Sequence, residues 1–133
     1  MPQKADTFIA ALYRLEDDRD VGPIAALYAP DADISNPLVK HASEGKPGAE
    51  AFWTQYRAAF ETIHSDFRNK LESDDAVILE WVSSGESKEG PFRYGGTSVI
   101  EWGNGSEDGS GITAFRAYFD PAQVLPPLKS KPA

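Results

Sequence analysis

The stretch Ala76-Val77-Ile78-Leu79-Glu80-Trp81-Val82-Ser83-Ser84 is rich in β-forming residues and sits in the half of the chain that reads as strands. Before it, Asp66–Ser73 alternates weakly; after it follow Phe92–Trp102 and Ile112–Asp120. The turns between them are well marked: Ser73-Asp74-Asp75, then Gly85–Pro91, then Gly103–Gly111, where Gly103-Asn104-Gly105 reads as a hairpin turn.

The other half reads as helix. Ala5, Ile9, Leu12 and Leu15 fall at i, i+4, i+7 and i+10, with Phe8 and Tyr13 flanking the stripe. The run Glu16-Asp17-Asp18-Arg19-Asp20 reads as its solvated end. Pro23 suits the first turn of a short second helix carrying Ile24, Leu27 and Tyr28, and Pro30 stops it. Ala32 to Asn36 is short and extended, since Pro37 disfavours helix at Asn36. Pro47 opens a third helix with Phe52, Tyr56, Ala59, Phe60 and Ile63 on one face. Helices first and antiparallel strands afterwards predict an α+β domain with helices on one face of a sheet.

Composition narrows the function classes. A chain of 133 residues fits one domain, and the absence of cysteine excludes disulfides, thiolate metal sites and cysteine nucleophiles. Thirteen basic residues scattered among 21 acids, a net charge of −8, argue against nucleic acid or an anionic membrane as partner. No stretch is apolar for the ~18 residues that a bilayer span needs. The N-terminus lacks a secretory pattern, which makes a cytoplasmic location the default expectation.

Three stretches carry a resemblance. Tyr13 to Pro37 gives helix, Asp-rich turn, a second helix ending Leu27-Tyr28-Ala29, then Asp31-Ala32-Asp33-Ile34-Ser35-Asn36-Pro37. Gly45-Lys46-Pro47-Gly48-Ala49 opens the third helix, and Ile112-Thr113-Ala114-Phe115-Arg116-Ala117-Tyr118-Phe119-Asp120 is the closing strand. In order and coverage this resembles the SnoaL-like and ketosteroid isomerase-like family of the nuclear transport factor 2-like superfamily.

The resemblance implies a curved antiparallel sheet wrapped around the N-terminal helices, a cystatin-like cone enclosing a hydrophobic pocket. It implies one SnoaL-like domain over residues 1–122, followed by a Pro-rich tail at 123–133, and a homodimer formed through the outer face of the sheet. The family's phase turns Thr113, Phe115, Ala117 and Phe119 inward, with Ala114, Arg116, Tyr118 and Asp120 outward. On the earlier strand it turns Val77, Leu79, Trp81 and Ser83 inward and Glu80 outward; a slip of one residue would reverse every assignment.

The same resemblance nominates site residues. Tyr13 occupies the first-helix position of an oxyanion-stabilising tyrosine, although a core-edge phenol with a satisfied hydroxyl is the plainer alternative. Asn36 stands where ketosteroid isomerases keep an aspartate base, and an amide cannot take that proton. Limonene epoxide hydrolases place an Asn there to orient water, but the positions of their acids and arginine hold Ser83, Ala117 and Trp81. Ser98 aligns with the isomerase's second acid. His41 borders the expected pocket mouth and is the histidine to consider as a base, the alternative for it and for His64 being an ordinary surface histidine. Trp81, Ser83, Ser98, Thr113, Phe115 and Phe119 are the expected ligand-binding set.

Neither a metal site nor a cofactor is implied by any residue. The expected partner is a small hydrophobic molecule, and the expected function is a SnoaL-like pocket protein, as an isomerase or cyclase acting on a hydrophobic carbonyl-bearing compound. The alternative is a non-catalytic ligand-binding or dimeric interaction module that has lost the family's catalytic acids.

Overall fold

The computed structural model describes residues 4–36, 45–103 and 111–120. Three helices, α1 (Lys4–Asp18), α2 (Gly22–Ala25) and α3 (Gly45–Ala58), accompany five strands: β1 (Tyr28–Ser35), β2 (Thr62–Glu72), β3 (Ala76–Ser87), β4 (Gly90–Trp102) and β5 (Ile112–Phe119). The strands form one curved, unclosed sheet in the order β1-β5-β4-β3-β2. The fold is the expected α+β cone, with one difference. β2 to β5 pair antiparallel, but β1 lies parallel to β5, so the sheet is mixed. A segment extended over only Ala32 to Asn36 gives no hint of pairing direction; β1 starts at Tyr28 and runs through Pro30, which sits at the sheet edge.

The core lies between the concave face of the sheet and the helices. Phe8, Leu12 and Leu15 of α1, Phe52 and Trp53 of α3, and Val77, Leu79, Ile100, Ile112 and Phe115 of the sheet form one buried cluster. Two features of the helices set the site. First, α1 ends in a left-handed residue, Arg19 (φ 60°), with Arg19 N–H bonded to Leu15 O and Asp20 N–H to Arg14 O. This termination leaves Glu16 in the last helical turn, in phase with Ala5 and Leu12 on the core side. Second, α3 stops at Ala58, earlier than the apolar spacing through Ile63 predicts. Glu61 N–H bonds Glu86 O and Thr62 pairs with Glu86, so the backbone is committed to the sheet before another helical turn can form. Ile63 therefore packs from β2, beside Phe60 and Tyr94.

The turn regions behave as their composition predicts, with tighter limits. β3 and β4 run to Ser87 and from Gly90, so the turn placed at Gly85–Pro91 is only two residues long. The Gly103-Asn104-Gly105 turn and the tail at 123–133 lie outside the described residues, at least in part.

Candidate functional site

Register across the sheet stacks the inward residues in rows. Ser65 of β2 stands opposite Ser83 of β3, and Ser83 opposite Tyr94 of β4. The next row is Phe67, Trp81, Gly96 and Phe119, and beyond it Leu79, Ser98 and Ala117. From these rows Ser65, Phe67, Trp81, Ser83, Ser98 and Ala117, together with Phe115 of β5, Phe8 and Leu12 of α1, Phe52, Trp53 and Tyr56 of α3, and Asn36 after β1, line a half-open cavity. The cavity volume is about 40 Å³, opening to about 430 Å³ when the solvent-filled mouth is included. The enclosed part holds a few waters, well below the roughly 300–1,000 Å³ of ligand pockets, so a ring compound would occupy the open mouth or displace side chains.

The walls are apolar and aromatic, and the polar groups among them are the hydroxyls of Tyr56, Ser65, Ser83 and Ser98, the Asn36 amide and the indole N–H groups of Trp53 and Trp81. Trp81 Nε1 donates to Ser98 Oγ at 2.9 Å. Trp53 Nε1 donates to Tyr28 Oη at 3.0 Å, and burial pushes the Tyr28 phenol up from its ordinary range. Ser65 Oγ and Ser83 Oγ are 2.6 Å apart, on side chains that are 2% and 1% exposed.

Behind these hydroxyls lies a buried acid. Glu16, 2% exposed, accepts the backbone N–H of Ser65 on Oε1 at 2.9 Å. Its Oε2 accepts Ser65 Oγ at 2.6 Å and Tyr56 Oη at 2.8 Å. Burial raises the Glu16 carboxyl above the usual carboxylate range, against the opposing pull of the Ser65 and Tyr56 hydrogen bonds and of His64. Burial also pushes the Tyr56 phenol well up, and the Glu16 charge adds to it. The backbone of Glu16 is held by Arg57, whose Nε donates to Glu16 O at 3.0 Å while Nη1 and Nη2 donate to Phe60 O and Glu61 O.

The expected site residues divide cleanly. Asn36, Trp81, Ser83, Ser98 and Phe115 come together around the cavity. Phe119 packs on Trp81 and Tyr94 at the edge of that group without lining the space. Thr113 departs from its expected inward position. A register shift between Glu101 and Trp102 leaves Ile112, Phe115 and Ala117 facing the core, and Thr113 Oγ1 donates to Glu101 O. Tyr13 also departs: its hydroxyl donates to Ser65 O at 2.9 Å, its ring stacks on His64, and it is not among the residues lining the cavity. His41 lies outside the described residues. His64 is half exposed on β2, its Nε2 at 3.5 Å from Asp66 Oδ1. Glu80 and Glu101 face outward, engaged by Asn69 and Arg116.

Glu16, Tyr56 and Ser65 are absent from the expected set. The signal for Glu16 was its spacing from Ala5 and Leu12, masked by the four charged residues that follow it. Ser65 alternates with Ile63 and Phe67, a phase visible only if the strand starts at Thr62.

The comparisons agree with this architecture. The model of the SnoaL-like domain matches residues 9–110. No curated protein matches the chain in sequence. An NTF2-like protein from Burkholderia pseudomallei superposes with a TM-score of 0.77 at 17% identity, over 93% of each chain. An NTF2-like protein from Anabaena variabilis gives 0.76 at 16%, over 89% of this chain and 87% of its own. An LEH-like epoxide hydrolase from M. tuberculosis gives 0.68 at 15%, over 97% and 89%. With most of its length matched by that model and its fold shared with these structures, the chain belongs to the SnoaL-like domain family.

Proposed function

We propose that the protein takes up a small hydrophobic, oxygen-bearing compound, a cyclic ketone, enol or phenol, with its ring between Trp81, Trp53 and Phe115 and its oxygen among the hydroxyls. The observation that carries this reading is the cavity's chemistry: aromatic and aliphatic walls converging on Tyr56, Ser65, Ser83 and Ser98. Apolar area supplies the affinity and the hydroxyls fix the orientation. The reaction class that fits is isomerase or cyclase chemistry on a carbonyl compound, in which hydroxyl donors stabilise charge developing on oxygen.

A second reading, a non-catalytic binder, is favoured by one observation. Among the described residues that line the cavity there is no Asp, Glu, His, Lys or Arg.

The test is a thermal-shift and tryptophan-fluorescence titration with cyclic ketones, phenols and terpenoid epoxides, repeated on Ala117→Phe, which fills the cavity. A ligand that binds only the folded state raises its melting temperature with concentration. Binding by the wild type and not by Ala117→Phe supports the reading, and subsequent turnover separates enzyme from binder. Equal shifts in both proteins would overturn it.

A further inference from the structure

The buried carboxylate stands one hydroxyl away from the cavity. Glu16 touches it only through Tyr56, Ser65 and Ser83, each of which lines it. Glu16 is also among the residues of an outer groove with Asp17, Arg57, Thr62, His64 and Ser84.

Hydrogen counting along this chain gives it two senses. An ionised carboxylate only accepts, so the single hydrogens of Ser65 and Tyr56 both point at Glu16. Ser83 must then donate to Ser65, and the oxygens of Ser83 and Tyr56 offer the cavity lone pairs alone. Adding one proton to Glu16 reverses the chain. The carboxyl donates to Ser65, which donates to Ser83 and frees the Ser83 hydrogen toward the cavity, or it donates to Tyr56 and frees the phenol hydrogen; either way the floor gains one donor.

We propose that Glu16 sets the hydrogen-bonding sense of the cavity floor. Ionised, it selects a compound that donates there, an enol, phenol or alcohol; protonated, it selects one that accepts there, a ketone. A ketone therefore binds with uptake of one proton from solvent, and release of the ketone returns it. This rests on the cavity being the ligand site. The raised ionisation range of the carboxyl supports it, since a buried acid is the group whose charge a ligand can shift. The titratable groups facing Glu16 are Tyr56 and Arg57 of α3, Tyr13 and Asp17 of α1, His64 of β2 and Tyr94 of β4. Of these, His64 favours the carboxylate when charged, and is the one to control for.

The experiment is calorimetric binding of a matched pair, cyclohexanone and phenol, across a pH series and in buffers of different ionisation enthalpy. The expected result is that ketone affinity falls by about tenfold per pH unit above the Glu16 transition while phenol affinity does not, with proton uptake for the ketone alone. Glu16→Gln, whose amide donates permanently to Ser65 or Tyr56, is expected to bind ketone without pH dependence and phenol more weakly. His64→Gln is expected to keep the difference between the two compounds. Binding of both compounds with the same pH dependence would overturn the inference and leave the cavity reading intact. Binding of neither would remove both. The wild-type comparison decides the matter even where a variant does not fold.

Discussion

The benzo ring of Trp81 rests against the backbone of Gly96 on the neighbouring strand. A methyl group at Gly96 would stand 2.7 Å from that ring and 2.6 Å from Tyr118 O. The absent side chain lets the indole reach Ser98 and form one wall of the cavity. Gly96→Ala must displace the indole or part the β4–β5 pair. The expected cost is about 1–3 kcal/mol in stability, the range for overpacking. Tryptophan emission should shift as well, because Trp81 loses its Ser98 partner. Chemical unfolding followed by fluorescence measures both, and an unchanged midpoint with unchanged emission would refute the packing argument.

Arg57 joins the end of α1 to the loop after α3 through three carbonyls, of Glu16, Phe60 and Glu61. It is 6% exposed, so water cannot readily replace those bonds. Arg57→Met keeps an apolar stem but strands the Glu16 and Phe60 carbonyls, Glu61 O keeping Arg19 Nη2 at 3.2 Å, and should cost about 3 kcal/mol. Arg57→Lys should recover only a minor part, because an ammonium cannot reproduce the three-armed fork. Urea midpoints for the two variants check this. Equal loss in neither, with both near wild type, would mean that the carbonyls find other donors.

The elements were legible where periodicity is unambiguous. Leu12 with Leu15 marked α1, and Val77, Leu79, Trp81 and Ser83 gave the phase of β3, which the burial pattern follows. What sequence could not supply came from pairing. The parallel partner of β1, the shift at Glu101–Trp102 that turns Thr113 away, and the early end of α3 are all set by hydrogen bonds to distant strands. Within the site, Trp81, Ser83, Ser98 and Phe115 lie on strands whose alternation is regular. The charged neighbours of Glu16 suggest solvent, whereas the end of a helix can bury one residue on its core side while Asp17 and Asp18 on the other sides stay exposed.

Glu16 also predicts a pH dependence of stability. Its folded-state ionisation range is raised, chiefly by desolvation, so its contribution is fully present below the ordinary carboxylate range and lost as pH rises through the raised one. The relevant difference is between wild type and Glu16→Gln, which cancels the other carboxylates. Across a series from about pH 4 to about pH 8, the wild type should lose ground steadily to the variant, and then run parallel to it once Glu16 is ionised in both folded and unfolded states. Urea unfolding at each pH gives the curve. A constant difference throughout would show that Glu16 ionises as it does in the unfolded chain.

The convex face of the sheet carries an apolar row that one chain leaves open. Leu71 pairs with Ile78, Ile78 with Val99, and Val99 with Arg116, with Tyr118 one step along β5. Leu71, Ile78 and Tyr118 are 64%, 40% and 55% exposed, and all three turn away from the cavity. A set of exposed large apolar side chains on the outer face of a sheet is suited to a two-fold interface, because the same patch serves both copies. The expectation is a homodimer through this face. Ile78→Glu would set two carboxylates near the axis and should weaken association by several kcal/mol, enough to yield monomers at micromolar concentration. Sedimentation equilibrium distinguishes the cases. A wild type that is monomeric at that concentration, or an Ile78→Glu variant that stays dimeric, would exclude this face as the interface; a dimer lost only in the variant, with its melting temperature falling no further than the loss of association requires, would establish it.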